Sequence, residues 1–284
     1  MVELITSKFN MVIELLDNEK VHCTFAYSVI EGTQPGKIYV DDSVEPKSYL
    51  IICKSGKYLV GGYTNNFEFN NSLSKYLLNK ENHNKYFDIY SSSKEWVIKL
   101  DEILGTNAAK LRRQVLQLNT QKFSKYSNRC TILDIGFEIK KIDLSLFERY
   151  VKEVDSSYEN LWGSSENFLL NGFGFCILKN NEFVSVCNSY YTRDGFAEID
   201  VITINQFRNQ GFAKAVCLQF INYCIENNIK PIWDCDYGNE NSKKLAQKLG
   251  FKSLETYEMH WWHENKKFVE EYLNNFKYDN ISVN

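Results

Sequence analysis

Hydrophobic and polar residues follow two different periods in the second half of the chain. Residues 196–203 are mostly apolar, with Glu198 and Asp200 at alternate positions, and this run predicts a strand that carries both acids on one face. Apolar residues then recur at helical spacing over residues 213–224 and predict the buried face of a helix. Gly211 lies between the two patterns. The sequence therefore predicts a strand, a tight turn and a helix in direct succession.

The same periods predict the other elements of this half. Turn residues at Asn180-Asn181 and at Arg193-Asp194-Gly195 separate the strands of a β-meander. Predicted strands cover residues 137–142, 172–178, 183–191, 196–203, 232–236 and 253–262. Predicted helices cover residues 144–154, 213–226 and a short segment closed by Gly250, while residues 156–168 are helical or looped. This succession indicates the α/β (α+β) class.

The N-terminal half has fewer landmarks. Its predicted elements are a helical stretch near residues 9–16, two strands at 48–53 and 57–62, and a helix over 95–118 with basic residues on its surface. The polar residues 119–128 are the best candidate for a domain boundary, so we predict an N-terminal α/β domain over 1–130 and a second domain over 131–284. No internal repeat is visible in the sequence.

Composition and charge exclude several classes of protein. The chain has 284 residues, of which 44% are hydrophobic and 15% aromatic, enough to bury a core. A net charge of −3 gives no strong field that would attract nucleic acid or an anionic membrane. No apolar run approaches the length that crosses a membrane, so we expect a cytoplasmic protein without nucleic-acid or membrane partners. The sequence assigns no oligomeric state.

Cysteine and histidine usage argues against a metal site. The eight cysteines include no Cys-x-x-Cys pair, and several fall on predicted apolar faces, which favours buried reduced thiols over disulfides or metal ligands. His260 and His263 flank Trp261-Trp262 without a third ligand nearby, which indicates a structural or surface role. We expect no metal.

The turn before the predicted helix carries the strongest chemical signal. A helix entered through small residues exposes main-chain N–H groups that have no partner within the helix, and such a corner can hold phosphate. The segment Arg208-Asn209-Gln210-Gly211-Phe212-Ala213 meets this requirement. It therefore indicates a cofactor that contains a pyrophosphate.

Three motifs together resemble those of the GNAT N-acetyltransferases. They are the acid-bearing strand at 196–203, the Arg/Gln-x-x-Gly-x-Gly/Ala loop at 208–213, and a later pattern formed by Asn239, Ser242, Leu245, Lys248, Leu249, Gly250 and Phe251. The chain also resembles the GNAT subgroup typified by the zwittermicin A resistance protein, both in its length and in having an N-terminal half without such motifs. The resemblance implies a mixed, mostly antiparallel sheet flanked by helices in the C-terminal domain. On family grounds only, it leaves open a degenerate GNAT-like fold in the smaller N-terminal domain.

The resemblance also implies the cofactor and the residues that hold it. The cofactor is acetyl-CoA, used as co-substrate. Main-chain groups of Val201, Ile202 and Thr203 would contact pantetheine and the acetyl carbonyl, although a plain core strand is the simpler alternative. The pyrophosphate would lie at Arg208, Asn209, Gln210, Gly211, Phe212 and Ala213. Asn239 and Ser242 would contact the cofactor arm, or Asn239 would only cap a helix.

The resemblance also indicates which acids of the strand would act in catalysis. Because the run at 196–199 is similar to that of histone-type members, Glu198 is the first candidate for the general base and Asp200 the second. The alternatives are that both acids orient the substrate amine or lie on an exposed sheet edge. Many members carry a tyrosine that protonates the leaving thiolate, and Ala246 stands at that position here. The general acid is therefore unassigned.

The sequence thus predicts an acetyl-CoA-dependent N-acetyltransferase that acts on a primary amine of a small molecule. Ala246 motivates a second hypothesis, a non-catalytic acyl-CoA-binding or regulatory module. A third, aminoacyl transfer on a tandem GNAT-like scaffold, has no specific support in the sequence. Fold alone does not choose among these functions.

Overall fold

The computed structural model describes residues 1–19, 23–127 and 135–276. The chain forms two compact units. Unit 1 contains Met1–Arg113, Asp236–Gly238 and Thr256–Asn284, and unit 2 contains Gln114–Cys235 and Asn239–Glu255. The domain boundary predicted between residues 130 and 131 lies outside the described residues, and the assignment of a function to each domain stays a prediction.

Strands and helices alternate along the described parts of the chain. The strands are β1 (Val2–Glu3), β2 (Gly36–Val40), β3 (Ser48–Cys53), β4 (Lys57–Gly62), β5 (Tyr86–Ser91), β6 (Ala109–Leu118), β7 (Phe137–Lys141), β8 (Gly174–Lys179), β9 (Glu182–Arg193), β10 (Phe196–Thr203), β11 (Lys230–Asp236) and β12 (Phe251–His263). The helices are α1 (Ile13–Glu19), α2 (Thr24–Ile30), α3 (Phe67–Leu78), α4 (Lys94–Leu104), α5 (Thr120–Ser127), α6 (Leu144–Glu153), α7 (Ser157–Trp162), α8 (Ser165–Asn171), α9 (Phe212–Glu226), α10 (Glu240–Lys248) and α11 (Lys266–Asn275). Short 3-10 turns cover Thr6–Val12, Lys80–Asn82, Gly105–Asn107 and Asn205–Phe207.

Unit 1 is built on a mixed sheet. Its strand order is β1-β2-β3-β4-β5-β12, and neighbouring strands are antiparallel except for the parallel pair β4 and β5. The predicted strands β3 and β4 are confirmed at their predicted bounds. All six residues of β3 are buried, which explains why the sequence shows a continuous apolar run there instead of an alternating one. Helices α3 and α4 pack their apolar residues against this sheet around Phe69 and Trp96.

The prediction of one helix over residues 95–118 is wrong. Helix α4 ends at Leu104 because Gly105 takes a φ of 50°, a conformation that glycine adopts without a steric penalty. The N–H of Gly105 then donates to the carbonyl oxygen of Asp101. Residues 109–118 form β6, in which Ala109 and Leu111 are buried with the period of a strand. Helix α11 has no counterpart among the predicted elements.

Unit 2 follows the predicted order closely. Its strands run β6-β11-β10-β9-β8-β7, with β10 and β11 parallel and the β7–β10 meander antiparallel. The turn between β8 and β9 has positive φ at Asn180 (49°) and Asn181 (67°), as a two-residue hairpin of this hand requires. The strand, helix and turn predictions for residues 137–262 are confirmed within a few residues at each end.

The core of unit 2 decides which way the two strand acids point. Ala197 and Ile199 of β10 lie in one buried cluster with Val216 and Phe220 of α9. Because successive side chains of a strand point to opposite faces, Glu198 and Asp200 lie on the face away from α9, as the alternation predicts. Opposite Glu198, β9 contributes one extra residue, since Ala197 pairs with Thr192 while Ile199 pairs with Ser189.

The order of elements occurs twice in the chain. The first half of the chain runs from β1 through helices α1 and α2 to the antiparallel strands β2 to β4, then helix α3, strand β5 parallel to β4, helix α4 and strand β6. The second half of the chain repeats this order with β7, helices α6 to α8, strands β8 to β10, helix α9, strand β11, helix α10 and strand β12. The repeat is one of topology, which residue patterns do not reveal.

The described cysteines and His260 lie in the interior of the protein. Cys23, Cys53, Cys176, Cys187, Cys217, Cys224 and Cys235 are buried free thiols, while Cys130 lies outside the described residues. His260 is buried and its Nε2 lies 2.7 Å from Asp101 Oδ1. Within the described residues no group of three or more His, Cys, Asp or Glu side chains could hold a metal ion. No helix in this part of the chain is long and apolar enough to cross a membrane.

Candidate active site

Two parallel strands of unit 2 separate halfway along their length. In the described residues β10 pairs with β11 only at Phe196↔Lys230, Ala197↔Pro231 and Glu198↔Ile232, although both strands continue beyond these pairs. The other edge of β10 stays paired with β9 as far as Thr203. Past Glu198 the edge of β10 that faces β11 therefore has no strand partner. This opening lies directly beside the two strand acids.

Main-chain geometry shows which residues face the opening. The N–H of Ile204 donates to the carbonyl oxygen of Val184 at 3.0 Å, on the β9 side. Alternate residues of a strand direct their main-chain groups to alternate sides, so Ile202 also faces β9, whereas Val201 and Thr203 face the opening. Of the three residues predicted to contact the cofactor through the main chain, two are thus directed into this space.

The turn after β10 leaves the start of α9 open. Asn209 and Gly211 take positive φ values of 62° and 89°, and no side chain among the described residues caps the helix. The first helical bond runs from the Ala215 N–H to the Gly211 carbonyl at 3.0 Å, so the N–H groups of residues 212–214 have no acceptor within the helix. In the described part of the chain nothing beyond its neighbours lies within 4 Å of the position that a Cβ on Gly211 would take. The corner is accessible to an anion.

Side chains of the turn hold its shape. Arg208 Nε donates to the Thr203 carbonyl at 3.2 Å, and Gln210 Nε2 donates to the Gln206 carbonyl at 3.2 Å. Arg208, Asn209 and Gln210 are exposed, whereas Phe212 is buried against the ring of Phe137 at a centroid distance of 4.8 Å. Phe212 therefore anchors the turn, while the exposed residues before it surround the open N–H groups.

The strand acids differ in their surroundings. Glu198 is only 6% exposed, so it does not lie on an exposed sheet edge. Asp200 is half-buried, and its Oδ2 accepts a hydrogen bond of 2.8 Å from the hydroxyl of Tyr158. Burial, followed by the charge of Asp200, raises the pKa of Tyr158 well above its ordinary value. Tyr158 therefore stays protonated and donates to Asp200 across the working pH range.

Sequence reasoning did not identify Tyr158. It lies 42 residues before Asp200, in the segment 156–168 that was predicted only as helical or looped. The available signal was the spacing of Tyr158 and Trp162, which places two large aromatic residues on one face of α7.

Unpartnered polar atoms lie on the same sheet face as Asp200. Asn188 pairs in register with both Asp200 and Gly174, and a Cβ on Gly174 would lie 1.8 Å from Asn188 Oδ1, so a larger residue there would displace the Asn188 amide. Both amide atoms of Asn188 and the indole nitrogen of Trp162 are buried and have no hydrogen-bond partner in the described residues. Such atoms cost about 1–3 kcal/mol each to bury, which marks this face as unusually polar for a core.

A protein-family model of GNAT acetyltransferases matches residues 14–260, most of the chain. The chain belongs to the GNAT acetyltransferase family. It is similar to YdfB of Bacillus subtilis (strain 168), named as an uncharacterized N-acetyltransferase, with 34% identity over 260 residues that cover 91% of this chain and 97% of YdfB. This GNAT protein is therefore an acetyltransferase, and acetyltransferases of its family use acetyl-CoA as co-substrate.

Solved structures share the fold of this acetyltransferase. A GCN5-related N-acetyltransferase-like protein from Streptococcus suis 89/1591 matches with a TM-score of 0.71 and 26% identity, covering 92% of this chain and 100% of that one. A tandem GNAT protein from the clavulanic acid biosynthesis pathway matches with a TM-score of 0.64 and 9% identity, covering 93% and 98%. The second likeness shows the fold alone. The predicted GNAT-like sheet flanked by helices is confirmed.

The residues predicted to touch the cofactor arm have structural roles in this GNAT acetyltransferase. Asn239 caps α10, since its Oδ1 accepts from the Ser242 N–H at 3.0 Å. The hydroxyl of Ser242 accepts from the indole nitrogen of the buried Trp233 at 2.9 Å. Ala246 is fully buried in the core cluster and supplies no proton to a leaving group. A contact of Asn239 or Ser242 with the cofactor stays a prediction.

Substitution of Asn239 separates capping from cofactor binding. We expect Asn239→Ala to lower the free energy of unfolding by about 1 kcal/mol, because a helix cap is lost. Asn239→Ser should keep the cap and the stability. Calorimetric CoA binding and thermal unfolding of both variants check this. A loss of CoA affinity in the stable Asn239→Ser protein would show that the amide also contacts the cofactor.

The corresponding strand end of unit 1 is filled. Strands β4 and β5 stay paired from Lys57↔Asp88 to Val60↔Ser91. Beyond them the Glu19 carboxylate accepts hydrogen bonds from the Gly62 N–H at 2.8 Å and from the Ser92 hydroxyl at 2.7 Å. It also accepts one from the hydroxyl of Tyr49. The main chain that faces an opening in unit 2 is thus occupied by a side chain in unit 1.

The helix that follows this strand is also closed. Asn66 Oδ1 caps α3 by accepting from the Phe69 N–H at 3.0 Å, and Asn66 Nδ2 donates to the carboxylate of Asp41 at 3.0 Å. A side-chain cap and a neighbouring negative charge both oppose phosphate binding at a helix start. The start of α3 is therefore less suited to an anion than the start of α9 is.

Proposed function

We propose that unit 2 binds acetyl-CoA and transfers its acetyl group to a primary amine of a small molecule. The observation that carries this proposal is the succession of an opened strand pair and an uncapped helix start within one βα connection. The first offers main-chain groups of a strand, and the second offers several N–H donors to a diphosphate. The family membership supports acetyl-CoA as the donor.

Each part of the cofactor site has a distinct task in this proposal. The main chain of Val201 and Thr203 would hold pantetheine and the acetyl carbonyl at the opening beside β10. The N–H groups from Asn209 to residue 214 would bind the diphosphate, with the exposed Arg208 adding positive charge. The main-chain groups of Ile202 face β9, so this residue would help to hold β10 in place and would not contact the cofactor through its main chain. These residue roles extend the predictions made from the sequence.

Glu198 is the proposed general base. The acceptor amine must lose a proton before its nitrogen can attack, and a carboxylate within reach of that nitrogen can take it. With acetyl-CoA bound, the amine nitrogen would gain the acetyl carbon and lose a second proton, the C–S bond would break, and the sulfur would take up a proton so that CoA leaves as a thiol. Glu198 is the last residue of β10 that pairs with β11 in the described residues, so the opening begins directly after it. Asp200 is the second acid of the site.

The chain thus has one proposed CoA site in unit 2 and a filled counterpart in unit 1. The repeated order of elements supports a tandem GNAT arrangement for this chain. The clavulanic acid pathway protein of similar fold is also named as a tandem GNAT protein. Membership of the subgroup typified by the zwittermicin A resistance protein stays a prediction, as does a cytoplasmic location. Aminoacyl transfer has no observation in its favour, and the proposed acceptor is a small-molecule amine.

An amine panel tests the proposal directly. The protein is incubated with acetyl-CoA and spermidine, lysine, glucosamine or tyramine, and free thiol is followed while CoA binding is measured by calorimetry. We expect amine-dependent thiol release with at least one of these compounds. CoA binding without thiol release from any amine would instead favour an acyl-CoA-binding module.

Calorimetry also counts the sites. We expect one CoA molecule per chain, because the start of α3 is capped by Asn66 and the end of β4 is occupied by Glu19, whereas the start of α9 is open. A stoichiometry of two would contradict the assignment of unit 1 as the filled copy. Titration with 3′,5′-adenosine diphosphate, which carries phosphates but no pantetheine, separates a second phosphate site from a complete CoA site.

A further inference from the structure

One hydrogen bond beside the opening has no role in the proposed function so far. Tyr158 is fully buried, and its hydroxyl donates to Asp200 Oδ2 at 2.8 Å. Asp200 is only half-buried, so part of this side chain is accessible. A buried donor thus holds a partly accessible carboxylate two residues after the proposed base.

The ring of Tyr158 is held by other aromatic rings. Its centroid lies 5.0 Å from that of Tyr150 with the ring planes at 90°, and 5.8 Å from that of Tyr190 at 75°. Phe147 packs against it at 6.2 Å. Edge-to-face contacts on several sides restrict the ring to one orientation. The direction of the hydroxyl toward Asp200 is therefore set by packing before any substrate binds.

The hydrogen bond from Tyr158 fixes the direction of the Asp200 carboxylate. Because this bond holds Oδ2, and the two oxygens belong to one planar carboxylate, the direction of Oδ1 is restricted as well. A carboxylate held in one orientation beside an amine-acylating site is suited to bind an ammonium group, because a charge-assisted hydrogen bond is both strong and directional.

We propose that Tyr158 is a positioning residue: it orients the Asp200 carboxylate as the anchor for an ammonium group of the acceptor, which leaves Glu198 to take the proton. This inference rests on the proposed function. It divides the work between two acids that the sequence ranked only as first and second candidates for one role. It also defines the acceptor as a cation at neutral pH, with an ammonium group bound at Asp200.

The test is a double-mutant cycle on Tyr158→Phe and Asp200→Asn. With the panel amine that gives the highest turnover, we expect Tyr158→Phe to raise the KM of the amine about tenfold, because a hydrogen bond to a charged group is lost. The kcat should fall less than the KM rises, and the calorimetric affinity for CoA should stay near the wild-type value. In the Asp200→Asn background, Tyr158→Phe should have no further effect on KM.

Tyr58→Phe is the matched control for stability. Tyr58 is a buried tyrosine of unit 1 whose hydroxyl lies 3.0 Å from His83 Nδ1, so its substitution removes a comparable buried hydrogen bond away from the proposed site. Both variants should lose a similar amount of thermal stability, but only Tyr158→Phe should raise KM. An unchanged KM in Tyr158→Phe, or an equal rise with and without the Asp200 carboxylate, overturns the proposal.

Failure of the proposed acetyl transfer is distinguished from failure of the positioning role by a separate binding experiment. If the wild-type protein releases no thiol with any panel amine, the acetyl-transfer proposal fails, and calorimetric titration of CoA-loaded protein with spermidine then tests Tyr158 by itself. Weaker spermidine binding in both Tyr158→Phe and Asp200→Asn supports the positioning role. Spermidine binding that neither substitution weakens, or no binding at all, overturns it.

Discussion

Replacement of Glu198 by glutamine is expected to lower the kcat of amine acetylation by about 100- to 10,000-fold, the range that general-base catalysis contributes. Glutamine has nearly the same shape as glutamate but does not accept a proton at neutral pH. Because Glu198 is almost completely buried, the isosteric change should preserve the fold, and CoA affinity should stay near that of the wild-type protein. Steady-state kinetics and calorimetric CoA binding on the same preparation measure both effects.

Asp200→Asn is the informative control for this result. If Glu198 takes the proton and Asp200 anchors an ammonium group, Glu198→Gln should act mainly on kcat and Asp200→Asn mainly on the KM of the amine. An unchanged rate in Glu198→Gln would remove Glu198 from the mechanism. If Asp200→Asn instead showed the larger loss of kcat, the roles of the two acids would be exchanged.

The second large effect is expected from Ala213→Asp at the start of α9. We expect this variant to bind CoA about 100-fold more weakly, because a carboxylate in the first turn competes with the diphosphate for the N–H groups of residues 212–214 and repels it. The same carboxylate should stabilise the free protein by about 0.3–1 kcal/mol through its interaction with the positive end of the helix. Affinity and stability should therefore change in opposite directions.

Ala213→Asn separates charge from size. Asparagine has the same shape as aspartate without the negative charge, so this variant should keep most of the CoA affinity. Calorimetry at low and high ionic strength checks the electrostatic origin, because the difference between the two variants should shrink as salt screens the repulsion. Equal CoA affinity in Ala213→Asp and the wild-type protein would place the diphosphate elsewhere.

Local patterns in the sequence identified the elements around the site. The strand at 196–203, the turn with Gly211 and the helix from 212 were all predicted, because each depends on residues that are neighbours in the chain. Gly211 takes a positive φ that glycine tolerates best, and the apolar period of α9 matches the face that is buried. The turn at Asn180-Asn181 was predicted for the same reason.

Local patterns gave a wrong prediction, or none, where contacts between distant residues decide the structure. Residues 109–118 continue the apolar spacing of α4 well enough to resemble one helix, yet they form the strand β6. The cap of α10 by Asn239 was among the predicted alternatives, whereas the bond between Trp233 and Ser242 was not. Propensity over a short window does not record which strand a segment will pair with.

The sequence by itself determined the α/β class, the family resemblance and the positions of the strand, turn and helix around residue 211. These features follow from periodicity and from turn residues that are close together in the chain. Only the tertiary structure decided that β10 and β11 separate after Glu198, that Tyr158 donates to Asp200, and that Glu19 fills the matching strand end of unit 1. Each of these joins segments that are far apart in the sequence. Their contacts arise from packing, which no local pattern of residues encodes.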